Sequence, residues 1–150
     1  METKEELKAR LRDLFGTQAL AVLATQYIGA PYASLVADVG TDDLKEIFFA
    51  TPRTTRKYRN MAADPRVALL INSSQNKPSD FHEAIAVTVT GIAEDVQSPA
   101  PAPFLKRYLG RHPHLKDFIE APSTAMMRVR VDCYYIVKNF QKVMELRINQ

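Results

Sequence analysis

LAVLATQYIGAPYASLVADVGTDDLKEIFFA, residues 20–50, carries three apolar runs separated by two short breaks. Leu20–Thr25 reads as a buried strand. Tyr27–Pro31, with Gly29 and Pro31, supplies a turn, and Tyr32–Val39 a second strand. Gly40–Asp43 is a polar turn before a third strand, Glu46–Ala50. Connections this short join neighbouring antiparallel strands, so the stretch predicts a meander.

The chain before it reads as a helix over residues 3–15. Thr3 and Glu6 have capping-box spacing, Leu7, Leu11 and Leu14 form a stripe, and Gly16 suits the stop. After it, Thr54 or Thr55 can cap a short helix to about Ala63, ended by Pro65. Arg66–Asn72 is a fourth strand with Val67, Leu69 and Ile71 on one face, Ser73–Phe81 a polar loop, and Ala84–Ala93 a fifth strand. Gly91 marks a bulge or bend there. Gln97–Pro103 reads as an extended polyproline connector within one domain, residues 1–150, because the 47 residues after it could not bury a core alone. Helical segments follow at Phe104–Leu109 and Leu115–Glu120. A strand over Met126–Val137 should place Met127, Val129, Val131, Cys133, Tyr135 and Val137 on one face, and a last strand covers Val143–Ile148. The fold class is mainly β (α+β): about seven strands in a closed antiparallel sheet with a few short helices.

The 150 residues hold 20 basic and 17 acidic side chains, mostly interleaved, which argues against a broad nucleic-acid face. The single cysteine, Cys133, forms no internal bridge, and the charged N-terminus has no signal-peptide core; both predict a cytoplasmic protein. No window approaches the roughly 18 apolar residues of a membrane span.

Thr51-Pro-Arg-Thr-Thr-Arg-Lys-Tyr-Arg59 is the exception to the interleaving. It holds Arg53, Arg56, Lys57 and Arg59, and no acid occurs between Glu46 and Asp64. A helix N-terminus carries about +0.5 charge, so acids there stabilise by about 0.3–1 kcal/mol each and cations cost a similar amount. An anion among them reverses the sign. Backbone N–H groups, the hydroxyls of Thr51, Thr54 and Thr55, and guanidinium forks suit a phosphate. The same residues also read as a solvated basic turn whose threonines cap a helix. They lack the glycines of a Walker loop.

In chain order, LATQYIGAPYASLV (23–36), Phe48-Phe-Ala-Thr51, Arg56-Lys57, Asn60-Met61, Asp64-Pro-Arg-Val67 and Thr88-Val-Thr-Gly91-Ile-Ala form a specific series. The series resembles the FMN-binding split-barrel proteins related to pyridoxamine 5′-phosphate oxidase. The likeness is close over roughly residues 18–96 and general over 104–148. It implies a split β-barrel in which Ala33, Ser34, Leu35 and Val36 lie along the isoalloxazine ring, mainly through backbone hydrogen bonds. Ala50 and Thr51 would continue that contact, and Arg56 and Lys57 would bind the FMN phosphate with help from Thr55. It also implies a homodimer with the flavin at the interface, and a flavin-dependent oxidoreductase acting on a small molecule. Ala86 replaces a flavin-contacting glutamine of the oxidase itself, and both Trp and that enzyme's C-terminal arginine and histidine segment are missing. Vitamin B6 oxidation is therefore not carried over.

Two other readings stand beside this one: a non-catalytic or differently loaded barrel holding haem, a deazaflavin, or FMN as a simple carrier, and a nucleic-acid binder using Arg53–Arg59. For haem, His82, His112 or His114 could ligate; His112-Pro-His114 as a metal site lacks further ligands, and a helix-linking loop is its plainer reading. Cys133 lies on an apolar strand face, as inert packing residues do. Arg128 and Arg130 share a polar face open to solvent or a ligand.

Overall fold

The computed structural model describes residues 2–96, 101–139 and 141–150. β1 (Leu20–Tyr27), β2 (Ala30–Gly40) and β3 (Glu46–Pro52) form the expected meander. The first turn is tighter than expected, with only Ile28 and Gly29 between the strands, at φ +48° and +80°. Positive φ at both central positions matches the right-handed twist of a hairpin, and glycine takes it without strain.

β4 (Arg66–Asn72) pairs with β1, β5 (Ile85–Asp95) with β4, and β6 (Thr124–Lys138) with β5. β6 then pairs with β3, closing six antiparallel strands into a barrel. At 15 residues β6 is long enough for two partners on one edge: β3 along Thr124–Arg130, then β7 (Lys142–Arg147) along Cys133–Lys138. Alternate residues fill the interior, among them Leu23, Ile47, Phe49, Leu69, Val87, Val89 and Val129. The helix α1 (Lys4–Thr17) adds Leu7, Leu11 and Leu14 to that core, and its Thr3–Glu6 capping box is formed. It runs through Gly16 to Thr17, two residues past the expected end at Phe15.

The alternation along β6 holds to Val131 and then slips. Asp132 is an extra residue opposite the Thr90–Gly91 step of β5. Beyond it Tyr134 and Ile136 are fully buried, while Tyr135 and Val137, expected in the core, sit half-buried on the outer side. The irregularity lies beside Gly91 as expected, but the inserted residue belongs to the partner strand. A Cβ on Gly91 would fall 2.4 Å from the Arg130 carbonyl oxygen and 2.8 Å from Val129 Cγ1. Glycine is what lets β6 press in here.

The loop after β4 ends in a short helix, α3 (Asp80–Glu83). Residues 97–100 of the expected polyproline connector lie outside the described residues. α4 (Ala102–Arg111) already contains Pro103, and a 3₁₀ turn (Pro113–Leu115) leads into α5 (Lys116–Glu120). These helices cover the outer side of β3 and β6, where Phe48, Ala50, Met126, Tyr108 and Ile119 form a second core. Phe104 stacks edge-on against Phe48 at 4.5 Å. Among the described residues, no helix is long and apolar enough to cross a membrane.

Candidate functional site

β2 pairs with β1 from Ala30 to Ala37, but with β3 only at Asp38–Gly40, opposite Phe49–Ile47. The same register carried further would set Ala37 against Ala50 and Val36 against Thr51, yet the ladder stops. The barrel is therefore split between β2 and the end of β3. Antiparallel strands alternate their backbone hydrogen-bonding direction, so every second residue of 32–37 turns its N–H and C=O into the split. Pro52, at the end of β3, has no N–H to offer in return.

The helix α2 (Arg56–Ala63) stands at the mouth of this split. Asn60 and Met61 are buried, and Asn60 Nδ2 donates to Thr25 Oγ1 at 3.0 Å, which ties α2 to β1. Thr55 is the cap: its Oγ1 accepts from Tyr58 N at 3.2 Å and lies 2.8 Å from Thr51 Oγ1. Thr54 is exposed.

The four cations of the segment divide into two groups. Arg53 donates to the carbonyls of Pro122 (3.1 Å) and Thr124 (3.2 Å) and pairs with Asp95 at 3.3 Å. Tyr58 O–H donates to the same carboxylate at 2.9 Å, and that bond holds the phenol above its ordinary pKa. Arg53 is thus a tie to β5 and β6, not part of an anion cluster. The side chains of Arg56, Lys57 and Arg59 have no ion pair or hydrogen bond among the described residues. Arg56 lies 5.5 Å over the ring of Tyr32. Tyr27, Pro31, Tyr32, Arg56, Arg59 and Asn60 line a groove of ≈ 450 Å³ beside it.

The sequence-derived site residues gather around the split. Ser34 and Val36 pair with the buried Leu23 and Ala21 and share their inward face; Ala33 and Leu35 turn outward. What Ala33 and Leu35 can offer the split is therefore backbone. Ser34 Oγ is buried without a partner among the described residues. Ala50 and Thr51 are buried on the opposite lip, Arg56 is exposed and Lys57 half-buried. An open strand edge, an orphaned hydroxyl and three uncompensated cations at a capped helix start fit a flat ring carrying a phosphate. Tyr32 and Arg59, absent from the sequence-derived set, flank the same groove; Tyr32 is the residue just before Ala33, and its role depends on Arg56 folding over it.

Other polar residues are committed elsewhere. Arg128 pairs with Glu94 (2.6 Å) and Glu46 (3.4 Å), a structural ion cluster on the strand face. His112 is buried, its Nε2 2.8 Å from the Asp38 carbonyl oxygen, and burial lowers its pKa. His82 and His114 are exposed. Among the described residues no group of three or more His, Cys, Asp or Glu is placed to hold a metal ion.

Solved structures share this architecture. A haem-binding protein from Mycobacterium smegmatis superposes with a TM-score of 0.81 at 20% identity, over 98% of this chain and 59% of that one. A protein of unknown function from Agrobacterium tumefaciens gives 0.76 at 25% identity, over 89% and 57%. The chain thus spans under two thirds of both. A general stress protein 26 relative of the pyridoxinephosphate oxidase family, from Clostridium acetobutylicum, gives 0.73 at 14% identity over 97% of each chain. No curated protein sequence matches significantly. The family model described as pyridoxamine 5′-phosphate oxidase matches residues 5–138, from the first helix through the end of β6. By that match the chain belongs to the pyridoxamine 5′-phosphate oxidase family.

Proposed function

We propose that this chain binds FMN in the split between β2 and β3 and acts as a cytoplasmic, flavin-dependent oxidoreductase on a small molecule. The observation that carries the reading is the set of three cations, Arg56, Lys57 and Arg59, left without acidic partners among the described residues at the start of α2. Arg56 and Lys57 would hold the phosphate, with the Thr55 hydroxyl and the α2 backbone. Backbone groups of Ala33 and Leu35 would face the ring edge from one lip, with the side chains of Ser34 and Val36 beside them, and Ala50 and Thr51 from the other. When bound, the flavin supplies the electron or hydride transfer; the protein orients it and limits access of water.

Binding as a homodimer is part of the same proposal. Side by side on the barrel's outer face lie Leu35, Val22, Leu70 and Thr88, with Ala33, Ala24, Ala68 and Thr90 in the next row. Leu35 is 63% exposed and Leu70 39%. A second copy covering this face would bury them and lie next to the outward side of Ala33 and Leu35.

Extraction of the purified protein tests the reading. The expected result is a yellow protein that releases FMN, identified by absorbance and mass. The haem-binding name of one structural neighbour supports a second reading, for which a Soret band would be the signature; His82 and His114 are the histidines free to ligate. A nucleic-acid interface is disfavoured, since the withdrawal of Arg53 leaves three cations on one short helix.

A further inference from the structure

The β2–β3 ladder ends abruptly, and a side chain sits where its next rung would be. Tyr108, on α4, is 1% exposed and donates its O–H to the Ala37 carbonyl oxygen at 3.1 Å. Burial raises the pKa of this phenol and the nearby Ala50 N–H lowers it, which sets that N–H beside the same side chain. Ala37 and Ala50 are the residues that the register of Asp38 with Phe49 would bring together next. One helical turn later His112, 3% exposed, lies with Nε2 2.8 Å from the carbonyl oxygen of Asp38. Tyr108 and His112 share one face of the helix at i, i+4 spacing, and their rings are 5.1 Å apart. Two buried polar rings of one helix thus occupy consecutive carbonyls of β2 at the place where β2 leaves β3.

We infer that Tyr108 is a positioning residue that opens the barrel split: its hydroxyl stands in for the Ala37–Ala50 rung and its ring keeps the two lips apart. A direct backbone bond would draw Ala37 and Ala50 together, and the following pair, Val36 with Thr51, would close behind it. The phenol satisfies the Ala37 carbonyl without that closure. His112 takes the next carbonyl along β2 and so anchors α4 to the strand from which Tyr108 reaches the split. This function rests on the FMN reading above, because Val36, Ala50 and Thr51 are its proposed ring contacts; the wedge itself does not.

The test compares Tyr108→Leu, which removes both ring bulk and hydroxyl, with Tyr108→Phe, which keeps the wedge. Amide exchange at Ala50, measured by NMR without ligand, reads the ladder directly. In Tyr108→Leu it should slow about tenfold, because the Ala50 N–H exchanges the phenol for a direct rung to Ala37 whose opening must also part the Val36–Thr51 pair behind it. Riboflavin and FMN, each titrated by fluorescence, should both lose affinity by the same factor of about tenfold, because the ring site and not the phosphate site has narrowed. Tyr108→Phe should recover most of that loss. An unchanged Ala50 exchange rate in the folded Leu variant, or flavin affinities within about twofold of the parent, overturns the inference. If the Leu variant does not fold, the Phe variant decides: it keeps the ring but loses the oxygen, so Ala50 exchange must speed up, or the inference fails. If the parent chain binds neither flavin, the FMN reading falls, and the exchange comparison still judges the wedge.

Discussion

Replacing Arg56 and Lys57 together by alanine should move two quantities in opposite directions. Charge-assisted hydrogen bonds contribute roughly 1.5–3 kcal/mol each, and the exposure of Arg56 and half-exposure of Lys57 put both near the low end. About 3 kcal/mol in sum weakens FMN binding by roughly 10²-fold. Riboflavin lacks the phosphate, so its affinity should stay within about threefold. The ligand-free protein should become more stable. Each cation at the start of α2 opposes the helix dipole by about 0.3–1 kcal/mol, with no acid in the first turn to offset it, against about 0.5 kcal/mol lost with the Arg56–Tyr32 contact. For a chain of this length the net relief raises Tm by about 1–4 °C at low ionic strength. Isothermal titration with both flavins and thermal melts at low and high salt make the assay; the Tm gain should shrink in salt. Equal losses for FMN and riboflavin, or a lower Tm in the ligand-free variant, would refute the phosphate assignment.

Three further outcomes follow from the geometry. Gly91→Ala drives a Cβ to 2.4 Å from the Arg130 carbonyl oxygen, so it should destabilise by about 3 kcal/mol or more in urea unfolding. Asp38 is buried, one of its carboxyl oxygens has no partner among the described residues, and burial pushes its pKa up to about 7. The folded state then holds a proton that the unfolded state has lost, so this group's contribution falls as pH rises from about 4 to about 7 and is flat above. Asp38→Asn should therefore gain stability relative to the parent at pH 8, by on the order of 2–4 kcal/mol, and gain little at pH 4; an equal difference at both pH values would contradict the assignment. Leu35→Glu with Leu70→Glu should leave the barrel folded but shift sedimentation velocity from dimer to monomer, because charges on a covered apolar face must be desolvated.

The strands were legible because alternation is a local property. Val67, Leu69 and Ile71, or Val87 and Val89, declare their inward face within a few residues, and the short connections around residues 20–50 allow only an antiparallel meander. The α2 start was legible for the same reason: its threonines and cations lie within nine residues, and the missing acids can be counted. Tertiary structure decided the rest. Which of the four cations remain available depended on Asp95, more than forty residues away, taking Arg53. The phase of β6 after Val131 depended on a glycine in the opposite strand, since a strand cannot encode the neighbour that presses on it. The split itself arises where β3 turns to β6 and Tyr108 arrives from α4 to occupy the vacated rung. A sequence fixes what each residue can donate, accept or fill, but which groups meet is set only when the closed sheet brings distant segments within hydrogen-bonding distance.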